Sequence, residues 1–119
     1  MSAIKTRVLG FTIPSGVGDV KEVRMVLVKA GTPLSDAAGT AAYENTIGLD
    51  TDLAHKEDTP DGLLVKVPVA QGSKLDGTYD LYLWLIDDFG NESEVPAMLP
   101  NVAIDYVPPP TPVNLRLVD

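Results

Sequence analysis

The residues able to do chemistry in this 119-residue chain are few, and they sit in two acidic stretches. There is a single histidine, His55, and no cysteine, so neither an imidazole pair nor a thiolate is at hand as nucleophile, base or soft metal ligand. His55 lies in the first stretch with Asp50, Asp52, Glu57, Asp58 and Asp61. The second holds Asp87, Asp88, Asn91 and Glu92. Clustered carboxylates suit a hard cation such as calcium. A calcium loop opening at Asp50 and Asp52 needs an oxygen ligand at position 54 and a glycine after it, where Ala54 and His55 stand. Paired carboxylates also serve as general acid and base, but only where burial drives their pKa values apart, and charge-rich loops predict solvated side chains. Neither a Gly-x-Ser-x-Gly elbow nor a phosphate-cradling glycine loop occurs. The expectation is a chain with no catalytic residues, no metal ligands and no cofactor, and therefore not an enzyme.

Aromatic side chains offer contact instead of catalysis, and they lie in a strand pattern. From Tyr79 to Asp87, Tyr79, Leu81, Leu83 and Leu85 alternate with Tyr82, Trp84 and Ile86, so both faces are apolar. Such a strand is either central and doubly covered or meets something with its outer face. Gly77 and Gly90-Asn91 bracket it with turn residues. Residues 22 to 29 alternate likewise, with Val23, Met25 and Leu27 on one face and Arg24, Val26 and Val28 on the other. If Tyr79, Leu81, Leu83 and Leu85 face the core, Val26 and Val28 join Tyr82, Trp84 and Ile86 in an outer patch. Two readings stand: a contact or sugar-stacking surface, or a patch covered by a long loop drawn from residues 30 to 48.

The remaining elements follow from pattern and punctuation. Residues 3 to 13 read as a strand stopped at Pro14-Ser15-Gly16, and residues 31 to 42 have room for a helical turn before a short strand over Tyr43 to Leu49. Asp50 to Asp61 reads as an acidic loop. Residues 63 to 69 turn Leu63, Val65, Val67 and Val69 inward, and Pro68, lacking a ladder donor, predicts an edge strand. Residues 95 to 106 give another edge candidate with an irregular first half.

The run Leu75-Asp76-Gly77-Thr78-Tyr79, the alternating strand, and Asp87-Asp88-Phe89-Gly90-Asn91-Glu92-Ser93 together resemble strand F and its flanking turns in bacterial immunoglobulin-like and fibronectin type III repeats. The resemblance covers about twenty residues. It implies an all-β, immunoglobulin-like (fibronectin type III-like) β-sandwich of about seven strands, with Tyr79 as the tyrosine-corner residue whose hydroxyl bonds to nearby backbone. Such modules recur in adhesins, secreted enzymes and the virions of tailed bacteriophages, so the resemblance speaks to fold more than to function.

With that strand as F, residues 63 to 69 become E, 22 to 29 become C and 3 to 13 become B, which leaves no strand A at the front. The back of the chain has a surplus. Residues 1–106 form the expected sandwich, 107–112 a proline-rich spacer of polyproline geometry, and 113–119 a strand-like tail with Val113, Leu115 and Leu117 alternating. The expectation is a tail that completes a sheet on a neighbouring copy or another protein by strand addition. The competing readings are that the first strand is A after all, or that the tail is the stub of a further repeat.

Length and composition fit one all-β domain: 10 Gly, 10 Pro and 45% apolar residues. The net charge of -8 disfavours nucleic acid and anionic membrane surfaces as partners. The first residues enter a strand-like pattern without an apolar leader. The expected function is a non-enzymatic structural or assembly module, a decoration or fibre component of a phage virion made in the host cytoplasm. Its expected partners are other copies or other virion or surface proteins. The alternatives are a carbohydrate-binding or adhesin module at the cell surface, using Tyr82 and Trp84 on a glycan, or one repeat excised from a larger secreted protein.

Overall fold

Alternation of apolar residues, read above as strand faces, becomes two sheets with a shared interior. A computed structural model describes residues 8–34 and 40–118. Its strands are β1 (Val8–Pro14), β2 (Val20–Lys29), β3 (Tyr43–Gly48), β4 (His55–Thr59), β5 (Gly62–Pro68), β6 (Asp76–Asp87) and β7 (Ala97–Asp105). One sheet has the order β1-β5-β4 and the other β3-β2-β6-β7, with every pairing antiparallel. The chain crosses between sheets after β1, β3 and β5. This is an all-β sandwich of seven strands with immunoglobulin-like topology.

The core forms where the inner faces meet. Leu9 and Ile13 of β1 and Val65 and Val67 of β5 oppose Val23, Met25 and Leu27 of β2, Leu81 and Leu83 of β6, and Val102 and Ile104 of β7. Met25 and Leu27 are wholly buried, each worth about 1.5–3 kcal/mol relative to an exposed side chain. The period-2 pattern of β2, β5 and β6 fixes which residues enter: a slip by one residue would turn each strand's core set toward solvent.

Two expectations fail. Residues 55–59 are not loop but β4, paired from His55↔Lys66 to Thr59↔Gly62. Its side chains are nearly all exposed, so no apolar period marks it; backbone hydrogen bonds hold it to β5, joined by the Thr59 hydroxyl donating to the Gly62 carbonyl at 2.8 Å. The overlooked signal is Pro60-Asp61-Gly62, a turn sequence, in which Gly62 takes φ 142 and a Cβ would sit 2.1 Å from the Ile13 carbonyl oxygen. Consequently residues 63 to 69 are not an edge: β5 is the middle strand of its sheet. Pro68 is tolerated because the β4 ladder ends at Lys66, two residues earlier.

The strand expected over residues 3 to 13 is described from Val8 onward, and the helical turn expected within 31 to 42 falls largely outside the described residues. β7 is an edge strand, and its register shifts opposite the Tyr79/Leu81 step, where Asn101 adopts φ 57. Among the described residues no strand lies on the outer side of β1, the place of strand A in the immunoglobulin-like order.

Candidate functional site

Register, more than sequence, builds the outer face of the four-stranded sheet. β2 and β6 pair with Arg24 opposite Trp84, Val26 opposite Tyr82 and Val28 opposite Asp80. Val26, Val28 and Tyr82 form a second small core, 2%, 0% and 6% exposed, with Trp84 packed against it. The rings of Tyr82 and Trp84 are 6.2 Å apart and tilted by 36°. The Tyr82 hydroxyl reaches the Thr32 carbonyl at 3.5 Å, which ties the chain after β2 to this face. Ile86 is half-buried and bridges to Glu92.

Trp84 is capped by a cation. The Arg24 guanidinium carbon lies 4.2 Å from its ring centroid. Arg24 Nε donates to Glu92 Oε2 at 2.6 Å, and a terminal nitrogen lies 3.6 Å from Glu44 Oε1. The two carboxylates hold the guanidinium flat over the indole, where its charge meets the negative ring face. The five patch residues anticipated from sequence, Val26, Val28, Tyr82, Trp84 and Ile86, are thus brought together, but they are covered largely by their own chain. Arg24 was legible as a member of that face; that it would fall opposite Trp84 was not, because cross-strand register is a long-range property.

Asp80 is the polar member that sequence reasoning missed. Its carboxylate, 5% exposed, accepts the N–H of Gly31 (2.9 Å) and of Asn101 (3.1 Å), joining the segment after β2 to the irregularity in β7. A lone acid inside an apolar strand was the available signal. Tyr79 packs against the main core, and its hydroxyl donates to the Asp76 carbonyl at 3.2 Å past Gly77, which has φ 136 but lies within β6, paired with Ile104, and not in the turn expected from sequence. Its ring lies 3.8 Å from where a Gly77 Cβ would be.

The second acidic loop bonds within itself. Asp87 Oδ1 accepts from the N–H of Phe89 and of Asn91, each at 2.9 Å, and Oδ2 from the Asn91 side-chain amide at 3.1 Å. The backbone N–H of Asn91, then its side-chain amide, lower the Asp87 pKa from its ordinary 3.8. Glu92 is engaged by Arg24. Among the described residues no three histidines or carboxylates gather as cation ligands. His55 is exposed on β4, beside a shallow depression shared with Lys56, Glu57, Leu64 and Lys66.

At the end of the sandwich, Tyr106 is clamped by its N–H to the Leu75 carbonyl (2.9 Å) and by its hydroxyl to the Val69 carbonyl. Beyond it Val113, Leu115, Leu117 and Val118 are 82%, 93%, 99% and 83% exposed. Within this tail Arg116 donates locally to the Asn114 carbonyl at 3.4 Å.

Fold and site together define an immunoglobulin-like β-sandwich with a sealed outer aromatic cluster and a bare apolar tail. Comparison with protein-family models, curated proteins and solved structures finds no match.

Proposed function

We propose that the chain is a non-enzymatic assembly module that joins neighbouring copies or other structural proteins through its C-terminal tail. The single observation behind this reading is the tail itself: three alternating apolar side chains, Val113, Leu115 and Leu117, each at least 82% exposed, on a segment of strand-forming sequence. A row of bare leucines is costly in water, and strand addition both covers it and pairs its backbone. A head-to-tail contact of this kind generates a ring or a filament. The narrower form of the reading, a decoration or fibre component of a tailed-phage virion, is supported by the resemblance of residues 75–93 to repeats that recur there.

A glycan-binding role is less well supported. Stacking on a sugar needs a free aromatic face, whereas Tyr82 is 6% exposed and the face of Trp84 carries Arg24. Light scattering of the full chain and of a chain ending at residue 107 tests the proposal. The expected result is a full-length species heavier than the 12.7 kDa monomer and a truncated monomer. Equal masses for the two would overturn it.

A further inference from the structure

We infer that the tail of one copy docks along the outer edge of β1 of a second copy, in antiparallel register with Val113 opposite Ile13, Leu115 opposite Phe11 and Leu117 opposite Leu9. The inference rests on the tail-mediated assembly just proposed and names its acceptor.

Edge strands that must not pair with other chains carry recognisable protection. β4 is five residues of mostly charged or polar side chains, His55-Lys56-Glu57-Asp58-Thr59. β7 has Pro100 and a register shift with Asn101 at φ 57. β3 is six residues long and carries Glu44 and Asn45. β1 differs: it holds no charge, its one proline, Pro14, is its last residue, so Leu9-Gly10-Phe11-Thr12-Ile13 is unbroken, and its pairing with β5 runs without a shift. Among the described residues, Leu9 to Ile13 is the edge on which a further strand meets no obstacle.

Side-chain spacing agrees. Leu9, Phe11 and Ile13 all face inward, and Phe11, the middle one, is only half-buried although it packs against the core. A strand laid beside β1 places its own alternate residues next to these three, so a trio at i, i+2 and i+4 is required. The tail supplies it at 113, 115 and 117. In this register Arg116 falls opposite Gly10, where a Cβ would meet nothing within 4 Å, and Asn114 falls opposite Thr12. Asn114 moves from φ 57 to an extended conformation on docking.

Polarity disfavours the copy's own edge. Val8 pairs with Pro68, next to the Val69 carbonyl that holds Tyr106, so the tail leaves the sandwich at the end where β1 begins. Antiparallel docking must start at the far end, by Ile13, roughly 17 Å along the strand at ~3.4 Å per residue and about 10 Å across the sandwich. The seven steps from Tyr106 to Val113 span about 22 Å at ~3.1 Å each, which leaves only about 2 Å beyond the roughly 20 Å diagonal for the reversal of direction that antiparallel docking requires. A second copy has no such restriction.

The chain contains no cysteine, so engineered thiols report the contact directly. Full-length Thr12→Cys and Asn114→Cys proteins are mixed under mild oxidation. Parallel mixtures pair Asn114→Cys with Lys56→Cys on β4 or Met98→Cys on β7. The expected result is a disulfide-linked heterodimer at least severalfold more abundant with Thr12→Cys than with either control. Preferential linkage to Lys56→Cys or Met98→Cys, alongside tail-dependent mass in light scattering, overturns the β1 acceptor while the assembly reading stands. An intrachain disulfide formed in the double variant as a monomer overturns docking in trans. Absence of any cross-link together with masses unaffected by truncation overturns both.

Discussion

The guanidinium of Arg24 lies 4.2 Å above the ring of Trp84, its partner in the β2–β6 register. That stack closes the outer face of the larger sheet and converts what would be an aromatic contact surface into a small second core. Cation–π pairs of this kind contribute about 1 kcal/mol, and the flanking Glu92 and Glu44, partly exposed, add a few tenths more. Arg24→Ala is expected to lower stability by about 1–2 kcal/mol and Tm by roughly 5 °C. Trp84 is the single tryptophan, so its emission reports the same event: the maximum moves to longer wavelength as the ring meets water. An unmoved emission maximum would show that the stack does not shield the ring. Arg24→Lys keeps the charge without the planar stack and falls between.

Asp80 fastens two irregular segments to a regular strand. With its carboxylate gone, the N–H groups of Gly31 and Asn101 lose their acceptor in a part-buried setting, at about 1–3 kcal/mol in total. Asp80→Ala is therefore expected to lower the urea midpoint. It should also speed hydrogen exchange at those two amides ahead of the amides of β6. Uniform acceleration across the sheet would mean that the residue supports the fold globally instead of pinning the two segments.

Asp87 predicts a pH dependence confined to acid. Its folded pKa lies below its unfolded value because the charged carboxylate accepts the Asn91 and Phe89 donors. The contribution to stability is thus fully present above the unfolded pKa and is lost as pH falls through the folded one. Carboxyl titration by NMR is expected to place Asp87 below 3.8, with the Asn91 amide shift following the same curve. Between pH 5 and 8 that amide should stay still; a shift there would assign the loop's titration to another group.

Gly62 has no substitute. A Cβ at this position would lie 2.1 Å from the Ile13 carbonyl oxygen, and φ 142 is closed to L side chains. Gly62→Ala is expected to cost about 1–3 kcal/mol and to loosen the β4–β5 hairpin first. Equal stability of the two proteins in thermal unfolding would contradict the tight approach of β1 to that turn.

Local stereochemistry alone determined the faces of β2, β5 and β6. Val23, Met25 and Leu27, or Leu81 and Leu83, cannot alternate as they do without lining one side of an extended chain, and Gly90 could be read as a turn for the same local reason, whereas Gly77, read the same way, lies within β6. An all-β chain and the apolar surplus in Val113, Leu115 and Leu117 were legible on those terms, while the sandwich itself was implied by the resemblance of residues 75–93. What tertiary structure decided was everything that depends on which strand lies beside which. β4 has no apolar period because an edge strand can be held by backbone hydrogen bonds, and its presence makes β5 central despite Pro68. Trp84 looked like a surface until the register set Arg24 opposite it. Side-chain pattern is written along the chain, whereas strand register joins residues up to 67 apart, as between Val20 and Asp87. Only the folded sheet brings such residues together.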